Sequence, residues 1–470
     1  MKRIFFALAA IVALTLAAAP VMMAGPTQDH FAEWVDLLDS SQQVRASGTG
    51  YERGLYTSTA ELELRWPELA GPGEDAPGMR VHLDIGHGPF AGGGLNAARI
   101  QTRQIDLLDV DPGIEDALAG IDLLGLDARV AFDGALSGTF NGDAYRSEVV
   151  DWLGLAGRFS VPAAQDELAL DITAPGLRLT EPDDPDHAIH IQGMRLTGDQ
   201  RLAAPALWLG DSELTVERFT VEAEGETVVL EDLGLDMRTE REPEGLSVAL
   251  GLRSGPFDLA GQWQGEALQF STALSRIDWD SAVRLAPLLQ RYELEQDDPQ
   301  YQVELFSALT ASTADLLAAA PELRLGPLSL DLGEGPVASR LQVQVVPEAL
   351  GPMAMMGEPD AILSALRAEF ELEASRDSLV DLVAGALAGT MMTRMLQQGE
   401  LPDDDMQAML EAQADAEAAQ TIRGLEGAGL LVPGENGGLS MLIRMDQGQF
   451  SLNGESITLA ELEWLLGGLL

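Results

Sequence analysis

The chain has 470 residues, 46% of them hydrophobic, and carries a formal net charge of −48 at pH 7. The apolar content suffices for a large core and argues against disorder, and the length suits two or three domains. The 76 acidic residues against 28 basic ones disfavour binding to nucleic acid and to anionic lipid surfaces. The absence of cysteine excludes disulfides, thiolate metal sites and cysteine nucleophiles.

Residues 1–25 have the layout of a membrane anchor or a secretory signal. A Lys-Arg pair precedes an uncharged stretch, residues 4–24, that is long enough to cross the hydrocarbon core of a bilayer. We predict a retained anchor in a bacterial inner membrane, because the small residues Ala17 and Ala19 are followed by Pro20, a poor position for cleavage. The basic start then holds the N-terminus in the cytoplasm and the body in the periplasm. A cleaved signal, which leaves a soluble periplasmic protein, is the alternative.

Residues 26–275 are predicted to form a β-rich periplasmic region. Ala60, Leu62 and Leu64 alternate with glutamates, which is typical of a strand with one wet face. The same alternation recurs within residues 168–172, 177–179, 189–191, 214–221 and 246–252, and connections rich in Gly, Pro and Asp separate these runs. Parallel strands covered by helices would show continuous apolar runs instead, so the pattern predicts antiparallel sheet.

Residues 276–470 are predicted to mix helices and strands. Helices are expected from about residue 359 to 423, where apolar residues recur at helical spacing. Thr458 and Glu461 have the spacing of a capping box at the start of a last helix. The predicted fold class is therefore α+β: a long curved antiparallel β-sheet region with amphipathic helices in the C-terminal half, preceded by one N-terminal membrane helix.

Four short segments form an ordered set of motifs along the chain. They are residues 51–58, with an aromatic-x-Arg-Gly pattern, the His-Gly-Pro-Phe element at 87–90, the helix-to-strand stretch 306–330 and the tail 448–454. Together they resemble the bacterial YdgA-like family, a domain of unknown function. The family-motif residues are Tyr51, Arg53, Gly54, His87, Gly88, Pro89, Phe90, Asn453 and Gly454. The resemblance implies an inner-membrane anchor and a periplasmic body, and it supplies no catalytic residues because the family has no established activity.

The histidines are the first candidates for metal chemistry. His82 and His87 lie near Asp84 in the sequence, but their spacing matches no zinc motif and places them on opposite faces of a strand. Neither a metal nor a cofactor is therefore expected. His87 is expected to hydrogen-bond the tight turn that Gly88 and Pro89 create.

The Arg53-Gly54 pair has two interpretations. It forms a binding position beside the aromatic residues Tyr51 and Tyr56, or it forms a turn at the start of a strand in which Arg53 pairs with an acid. We favour the turn, because acids are abundant and Gly54 can supply an unusual φ. The chain has no Gly-x-Ser-x-Gly elbow, Walker lysine loop or His-Glu-x-x-His helix, so no catalytic residue is predicted.

These observations predict a non-enzymatic, membrane-anchored envelope protein with a scaffold or interaction role. Its expected partners are the inner membrane, through residues 4–24, and other envelope proteins or lipid. The alternative is a carrier that shields a lipid or another hydrophobic ligand in a groove of the sheet. A continuous apolar stripe open to solvent would favour the carrier, whereas a closed core with an acidic exterior would favour the scaffold.

Overall fold

The structure, a computed structural model, describes most of the chain outside its N-terminal segment. The described residues are 45–52, 57–66, 76–87, 96–109, 125–147, 149–164, 166–181, 187–223, 226–259, 263–295, 298–333, 335–350, 359–397, 404–434 and 438–462. The predicted membrane helix at residues 4–24 lies outside these ranges, as do Arg53, Gly54, Gly88, Pro89 and Phe90. Among the helices that the structure describes, none has the length and hydrophobicity that a membrane crossing requires.

The described elements are mostly strands. The strands are β1 (Arg45–Glu52), β2 (Thr57–Arg65), β3 (Gly78–His87), β4 (Ala98–Leu108), β5 (Gly125–Val130), β6 (Leu136–Gly142), β7 (Tyr145–Arg146), β8 (Val150–Trp152), β9 (Leu155–Val161), β10 (Glu167–Thr180), β11 (Ala188–Ala204), β12 (Leu207–Ala223), β13 (Glu226–Glu242), β14 (Gly245–Ser254), β15 (Phe257–Leu259), β16 (Trp263–Gly265), β17 (Ala267–Ile277), β18 (Glu322–Asp331), β19 (Pro336–Val345), β20 (Leu366–Ala374), β21 (Val432–Pro433), β22 (Leu439–Asp446), β23 (Gln449–Leu452) and β24 (Glu455–Ile457). The helices are α1 (Trp279–Glu295), α2 (Pro299–Ala318), α3 (Pro359–Ser364), α4 (Arg376–Gln397) and α5 (Asp404–Gly427). Mostly antiparallel sheet with some helices is what the sequence predicted, and this part of the fold class is confirmed.

The chain divides into two compact units. The N-terminal unit comprises Met1–Gly225 and Val283–Leu309, and the C-terminal unit comprises Glu226–Ala282 and Thr310–Leu470. The boundary that the sequence suggested between residues 275 and 276 stays a prediction.

The N-terminal unit contains an antiparallel ladder of strands that follows the chain closely. Successive strands pair from β1 to β6, β6 then pairs with β9, and the ladder continues through β10 and β11 to β12. The short strands β7 and β8 pair with each other, and β8 also pairs with β10. Such a meander needs only local connections, which suits strands separated by short runs of Gly, Pro and Asp.

The N-terminal core is a cluster of buried side chains from β1 to β6, β9 and β10. None of its buried members is more than 8% exposed. On β2, Ala60, Leu62 and Leu64 are buried whereas the glutamates between them are only half-buried. Within the described ranges, Trp66 is the one buried member that lies outside a strand. Among the described residues, the side chains of this core therefore come almost entirely from the strands of the sheet.

Two glycine–phenylalanine pairs join β6 and β9 inside this core. Gly138 lies opposite Phe159, and Phe140 lies opposite Gly157. Both phenylalanines are buried, and each ring covers the glycine on the partner strand so closely that an added Cβ would collide with it. Glycine is required at both positions because the aromatic rings occupy the space of a side chain.

The C-terminal unit contains a second antiparallel ladder. Its order is β13-β14-β17-β18-β19-β20-β22-β23-β24. The short strands β15, β16 and β21 extend it, with β15 on β13, β16 on β15 and β21 on β22. The helices α1 and α2 connect β17 to β18, which are neighbours in the ladder.

The prediction of helices from 359 to 423 is wrong where the structure has β20. Helix α3 ends at Ser364, and β20 then pairs with β19 and β22 on its two sides. The period-two pattern is visible in the sequence, because Phe370 and Leu372 alternate with glutamates. A short alternating run between two helical stretches is easily missed, since pairing with neighbouring strands decides its conformation.

Hydrogen bonds confirm the predicted capping box before the last helix. The Thr458 backbone N–H donates to Glu461 Oε2 at 2.8 Å, and the Glu461 N–H donates to Thr458 Oγ1 at 3.2 Å. These bonds to the charged form hold the pKa of Glu461 below its usual range. The two residues therefore satisfy backbone donors at the start of the helix reciprocally.

Candidate functional site

The first two family motifs meet in the N-terminal unit. His87, the last residue of β3, places Nε2 2.7 Å from the Oγ of Ser58 on β2. Both side chains alternate in phase with buried apolar residues, so they lie on the core side of the sheet. Ser58 is 1% exposed. A hydroxyl so deeply buried needs a hydrogen-bond partner and is not accessible to a substrate, so the pair has the character of a satisfied core contact.

The turn after His87 is not among the described residues, so the predicted bond from His87 to that turn stays a prediction. Tyr51, the aromatic residue of the first motif, is half-buried and packs against the N-terminal core. Both interpretations of the Arg53-Gly54 pair stay predictions, because these two residues lie outside the described ranges. The sequence suggested no role for Ser58, although its alternation with Ala60 and Leu62 already places it on the buried face.

His82 belongs to a charged network on the opposite side of the same strands. Its Nε2 lies 2.8 Å from Asp106 Oδ2, and its Nδ1 lies 3.2 Å from Glu61 Oε1. The contact with His82 holds the pKa of Asp106 below its usual range. His82 and His87 thus lie on opposite faces, as their spacing predicted. Across the described ranges, no three His, Asp or Glu side chains come together as metal ligands.

The network continues along β2, β3 and β4 as alternating charges. Glu63 accepts hydrogen bonds from Arg65 Nε at 2.6 Å and from Arg80 at 3.0 Å, and Arg65 also contacts Asp109 at 2.7 Å. The two arginines hold the pKa of Glu63 below its usual range. These contacts join neighbouring strands on the wet face of the sheet and indicate a structural role.

The tail motif joins a hairpin to the end of a helix. Asn453 and Gly454 form the two-residue turn between β23 and β24, and both have positive φ, 51° and 89°. The Asn453 side chain accepts a hydrogen bond from the Leu442 N–H at 2.8 Å. It donates to the carbonyl oxygens of Gly429 and Leu430, just after α5, at 2.8 and 3.1 Å. The motif is therefore explained by structure alone.

The C-terminal sheet has one face of almost uniform apolar character, which we call the apolar face. Two of its rows cross seven strands in directly paired positions. The first row contains Met237, Leu250, Thr272, Leu325, Leu341, Phe370 and Ile443, and the second contains Thr239, Val248, Leu274, Leu323, Val343, Ala368 and Met445. Because side chains alternate along a strand, all of these residues point to one side.

The opposite face of the same strands is polar and paired. Ion pairs join neighbouring strands: Arg253 to Asp236 at 3.7 Å, Arg340 to Glu371, Arg444 to Glu369 at 2.8 Å and Arg367 to Asp446 at 3.2 Å. The sheet therefore separates charge and apolar surface onto its two sides. The separation is stronger than the alternation of single strands suggested, because the register aligns apolar residues across every strand.

Helices α4 and α5 cover only one end of the apolar face. Leu379 of α4 and Ile422 of α5 pack with a row formed by Val337, Ala374 and Leu439. Beyond the helices, several apolar side chains stay exposed. We call four of them the open face: Met237 (43%), Leu250 (37%), Leu274 (42%) and Leu323 (37%). Met237 pairs with Leu250, and Leu274 pairs with Leu323, so the four form one continuous patch on adjoining strands.

The comparisons with known proteins identify a family. The model of a family described as "Bacterial protein of unknown function (DUF945)" matches residues 1–460. The chain belongs to this family. No curated protein and no solved structure matches the chain.

For this DUF945 chain, the motif residues and the open face are separate features. The described motif residues, among them His87 and Asn453, hold strands and a helix end together. Three of its four residues, Met237, Leu250 and Leu274, lie on strands that no motif includes, and Leu323 lies on β18, within the stretch 306–330. The sequence shows the apolar alternation of β14 and β17, but no sequence signal says which apolar positions stay uncovered. Whether an apolar side chain stays exposed depends on which elements pack over the sheet.

Proposed function

We propose that this chain is a carrier that shields a lipid or another hydrophobic ligand on the open face of its C-terminal sheet. The observation that carries the proposal is the continuous patch of Met237, Leu250, Leu274 and Leu323, each more than a third exposed. Contiguous apolar surface of this kind marks binding sites in soluble domains. Covering the exposed parts of four such side chains would contribute on the order of 3 kcal/mol.

The distribution of polarity supports an apolar occupant. The rows of the apolar face contain threonine but no charged residue at the paired positions described above. A hydrocarbon chain bound there would therefore leave no charged side chain buried without a partner. On the other face, several charges form ion pairs between strands. An extended acyl chain suits a sheet surface because it can follow a row of side chains for its whole length.

The finer family assignment and the location are part of the same proposal. The chain is a YdgA-like protein of the bacterial inner membrane, anchored through residues 4–24, with its body in the periplasm. The uncharged stretch after the Lys-Arg pair and the order of the four motifs support this assignment. Extraction of membranes with alkaline carbonate, followed by intact-mass measurement, tests it. A protein that stays in the membrane and retains residues 1–25 is expected, and a soluble protein lacking them would replace the anchor with a cleaved signal.

The carrier role is proposed as non-enzymatic. The burial of Ser58 supports this, because the serine–histidine pair of the N-terminal unit lies where no substrate can reach its hydroxyl. A ligand would be bound and released unchanged. Incubation of the protein with a phospholipid or a fatty-acyl ester should therefore leave the lipid intact, and hydrolysis that disappears in Ser58→Ala would contradict this part of the proposal.

A scaffold that binds other envelope proteins is the second candidate, and helices α1 and α2 favour it. Val303 and Phe306 on α2 are 70% and 73% exposed, and Leu289 and Tyr292 on α1 are also exposed. Aromatic and aliphatic side chains of this size are typical of protein contacts. In-cell crosslinking from position 306 would capture a discrete protein partner if the scaffold role holds.

Native mass spectrometry with lipid extraction tests the carrier directly. Residues 26–470 are secreted into a bacterial periplasm and purified without detergent. Near-stoichiometric lipid is expected on the wild-type protein and its loss in Leu250→Glu/Leu274→Glu. A matched control is Ala249→Glu/Ala273→Glu, because these alanines pair with each other on the opposite face of the same strands. A lipid-free wild-type protein would overturn the carrier proposal and leave the scaffold role.

A further inference from the structure

Arg241 lies at the margin of the apolar face. It is on β13, two residues beyond Thr239 and four beyond Met237, and it pairs with Leu246 of β14 without any shift in register. Strand alternation therefore points its side chain to the same side as Met237 and Leu250. At about 3.3 Å per residue, Arg241 is roughly 13 Å along the strand from Met237. A cation thus borders a surface that is otherwise apolar.

Arg241 differs from the other arginines of this sheet in its contacts. Arg238, Arg253, Arg276, Arg324, Arg340, Arg367 and Arg444, on the same set of strands, each form an ion pair with a carboxylate. Within the described residues, Arg241 forms none. Its guanidinium carbon instead lies 4.1 Å from the centre of the Trp279 ring, at the start of α1. In a chain with 76 acidic residues, an exposed arginine held by an aromatic ring and left without a carboxylate is available to an external anion.

The acidic residues near Arg241 either point to the opposite face of the sheet or contact other groups. Glu240 and Glu242 alternate to the opposite face of β13, and Glu240 contacts Arg238 there at 3.7 Å. Glu244 contacts Arg276 at 3.4 Å. Asp278 accepts a hydrogen bond from the Ser281 N–H at 2.8 Å and so caps α1. The negative charge of the chain as a whole is screened beyond about 8 Å at physiological salt, so the local cation decides what binds beside it.

We propose that Arg241 receives the anionic head group, a carboxylate or a phosphate, of an acyl-chain ligand whose chain lies on the open face. This inference rests on the proposed carrier function and gives it a ligand class. Guanidinium binds both anions with paired N–H donors, and such charge-assisted bonds are stronger than neutral ones. The Trp279 ring orders the guanidinium before the ligand arrives, which reduces the entropy lost on binding. A neutral ligand of the same length gains nothing from Arg241.

Photocrosslinking on the full chain tests the head-group selectivity. The protein is placed in nanodiscs of zwitterionic phosphatidylcholine and titrated with diazirine-bearing palmitic acid, hexadecyl phosphate or hexadecanol. Crosslinks are mapped by peptide mass spectrometry, and their concentration dependence gives an apparent affinity. Both anionic probes are expected to label the segment 226–282 and to bind about tenfold more tightly than the alcohol. The anionic probe with the higher affinity then indicates whether the ligand is a fatty acid or a phosphate-bearing lipid.

Two variants decide what Arg241 contributes. Arg241→Gln should lower the affinity for the anionic probes about tenfold, to that of the alcohol, and leave alcohol binding unchanged. Arg238→Gln is the matched control, because it removes a charge from the opposite face of the same strand. It should change neither the affinity for the anionic probes nor the affinity for the alcohol. Equal binding of acid and alcohol, or an equal loss of both in Arg241→Gln, overturns the inference while the carrier function stands. Absence of specific labelling by every probe overturns the carrier function as well.

Discussion

The strand ladders of the two units are built by the same rule and differ in how far their apolar faces are covered. In both, apolar and polar residues alternate along antiparallel strands, and the register aligns the apolar residues on one face. Leu62 and Leu64 in the N-terminal unit are 0% and 1% exposed, whereas Leu250 and Leu274 in the C-terminal unit are 37% and 42% exposed. The difference shows that alternation selects the apolar face, while coverage depends on what packs against it.

Truncation of one leucine in each unit should give the largest difference in stability between the covered and the exposed apolar face. Leu62→Ala should lower the free energy of unfolding by about 3 kcal/mol, because the side chain is fully buried and leaves a cavity. Leu250→Ala should lower it by less than about 1 kcal/mol, because much of the side chain already contacts water. Urea unfolding of the ligand-free protein measures both. Equal losses would mean that the open face is covered in solution.

Gly157→Ala probes how tightly the N-terminal core is packed. The new methyl group would meet the Phe140 ring, so a loss of about 2 kcal/mol in the free energy of unfolding is expected. The same substitution in a Phe140→Leu background should be tolerated better, because the smaller side chain frees the space above residue 157. Thermal unfolding of the four proteins completes the double-mutant cycle. Additive losses would contradict the proposed ring contact.

Asn453→Ala tests the tail motif in the C-terminal unit. The substitution removes one accepted and two donated hydrogen bonds of the side chain, and a loss of about 1–2 kcal/mol is expected. Hydrogen exchange should accelerate at the Leu442 amide. Asn453→Gly is the informative control, because glycine accepts the positive φ but cannot make the bonds. If the glycine variant is as stable as the wild type, turn geometry alone explains the motif.

The smallest effect concerns the wet face of the N-terminal sheet. The pKa of Glu63 is lowered in the folded protein by Arg65 and Arg80. The stabilisation is therefore complete above the ordinary glutamate pKa of 4.5, and it is lost as pH falls through the lower folded value. Glu63→Gln should reduce stability slightly at neutral pH and by progressively less as the pH falls, because the Glu63 carboxylate is then progressively protonated and loses its attraction to the two arginines. Urea midpoints measured across this range test the sign, and a difference that grows on acidification would contradict it.

Several parts of the fold could be predicted because their signals are local. The alternation at Ala60, Leu62 and Leu64 identifies β2 and its buried face without any neighbour. His82 and His87 lie on opposite faces because they are an odd number of residues apart on one strand. The capping box of Thr458 and Glu461 spans four residues. In each case the interaction that sets the structure lies within a few residues of chain.

Other parts could not be predicted because distant residues decide them. β20 was missed between helical stretches, since its conformation is stabilised by pairing with β19 and β22. The contact between Ser58 and His87 depends on the register of β2 against β3. Among the residues that the structure describes, the lack of an ion pair at Arg241 depends on the direction of the acids around it. A single sequence contains no direct record of these pairings.

The sequence by itself determined which residues of each strand share a face and which face is apolar, because side chains alternate across a strand whatever surrounds it. It also determined the strongly acidic composition of the chain. Only the tertiary structure decided that Leu62 and Leu64 are buried in the N-terminal unit while the helices α4 and α5 cover just one end of the apolar face in the C-terminal unit. Coverage is a property of packing between distant segments, and its energy is gained or lost only when those segments meet.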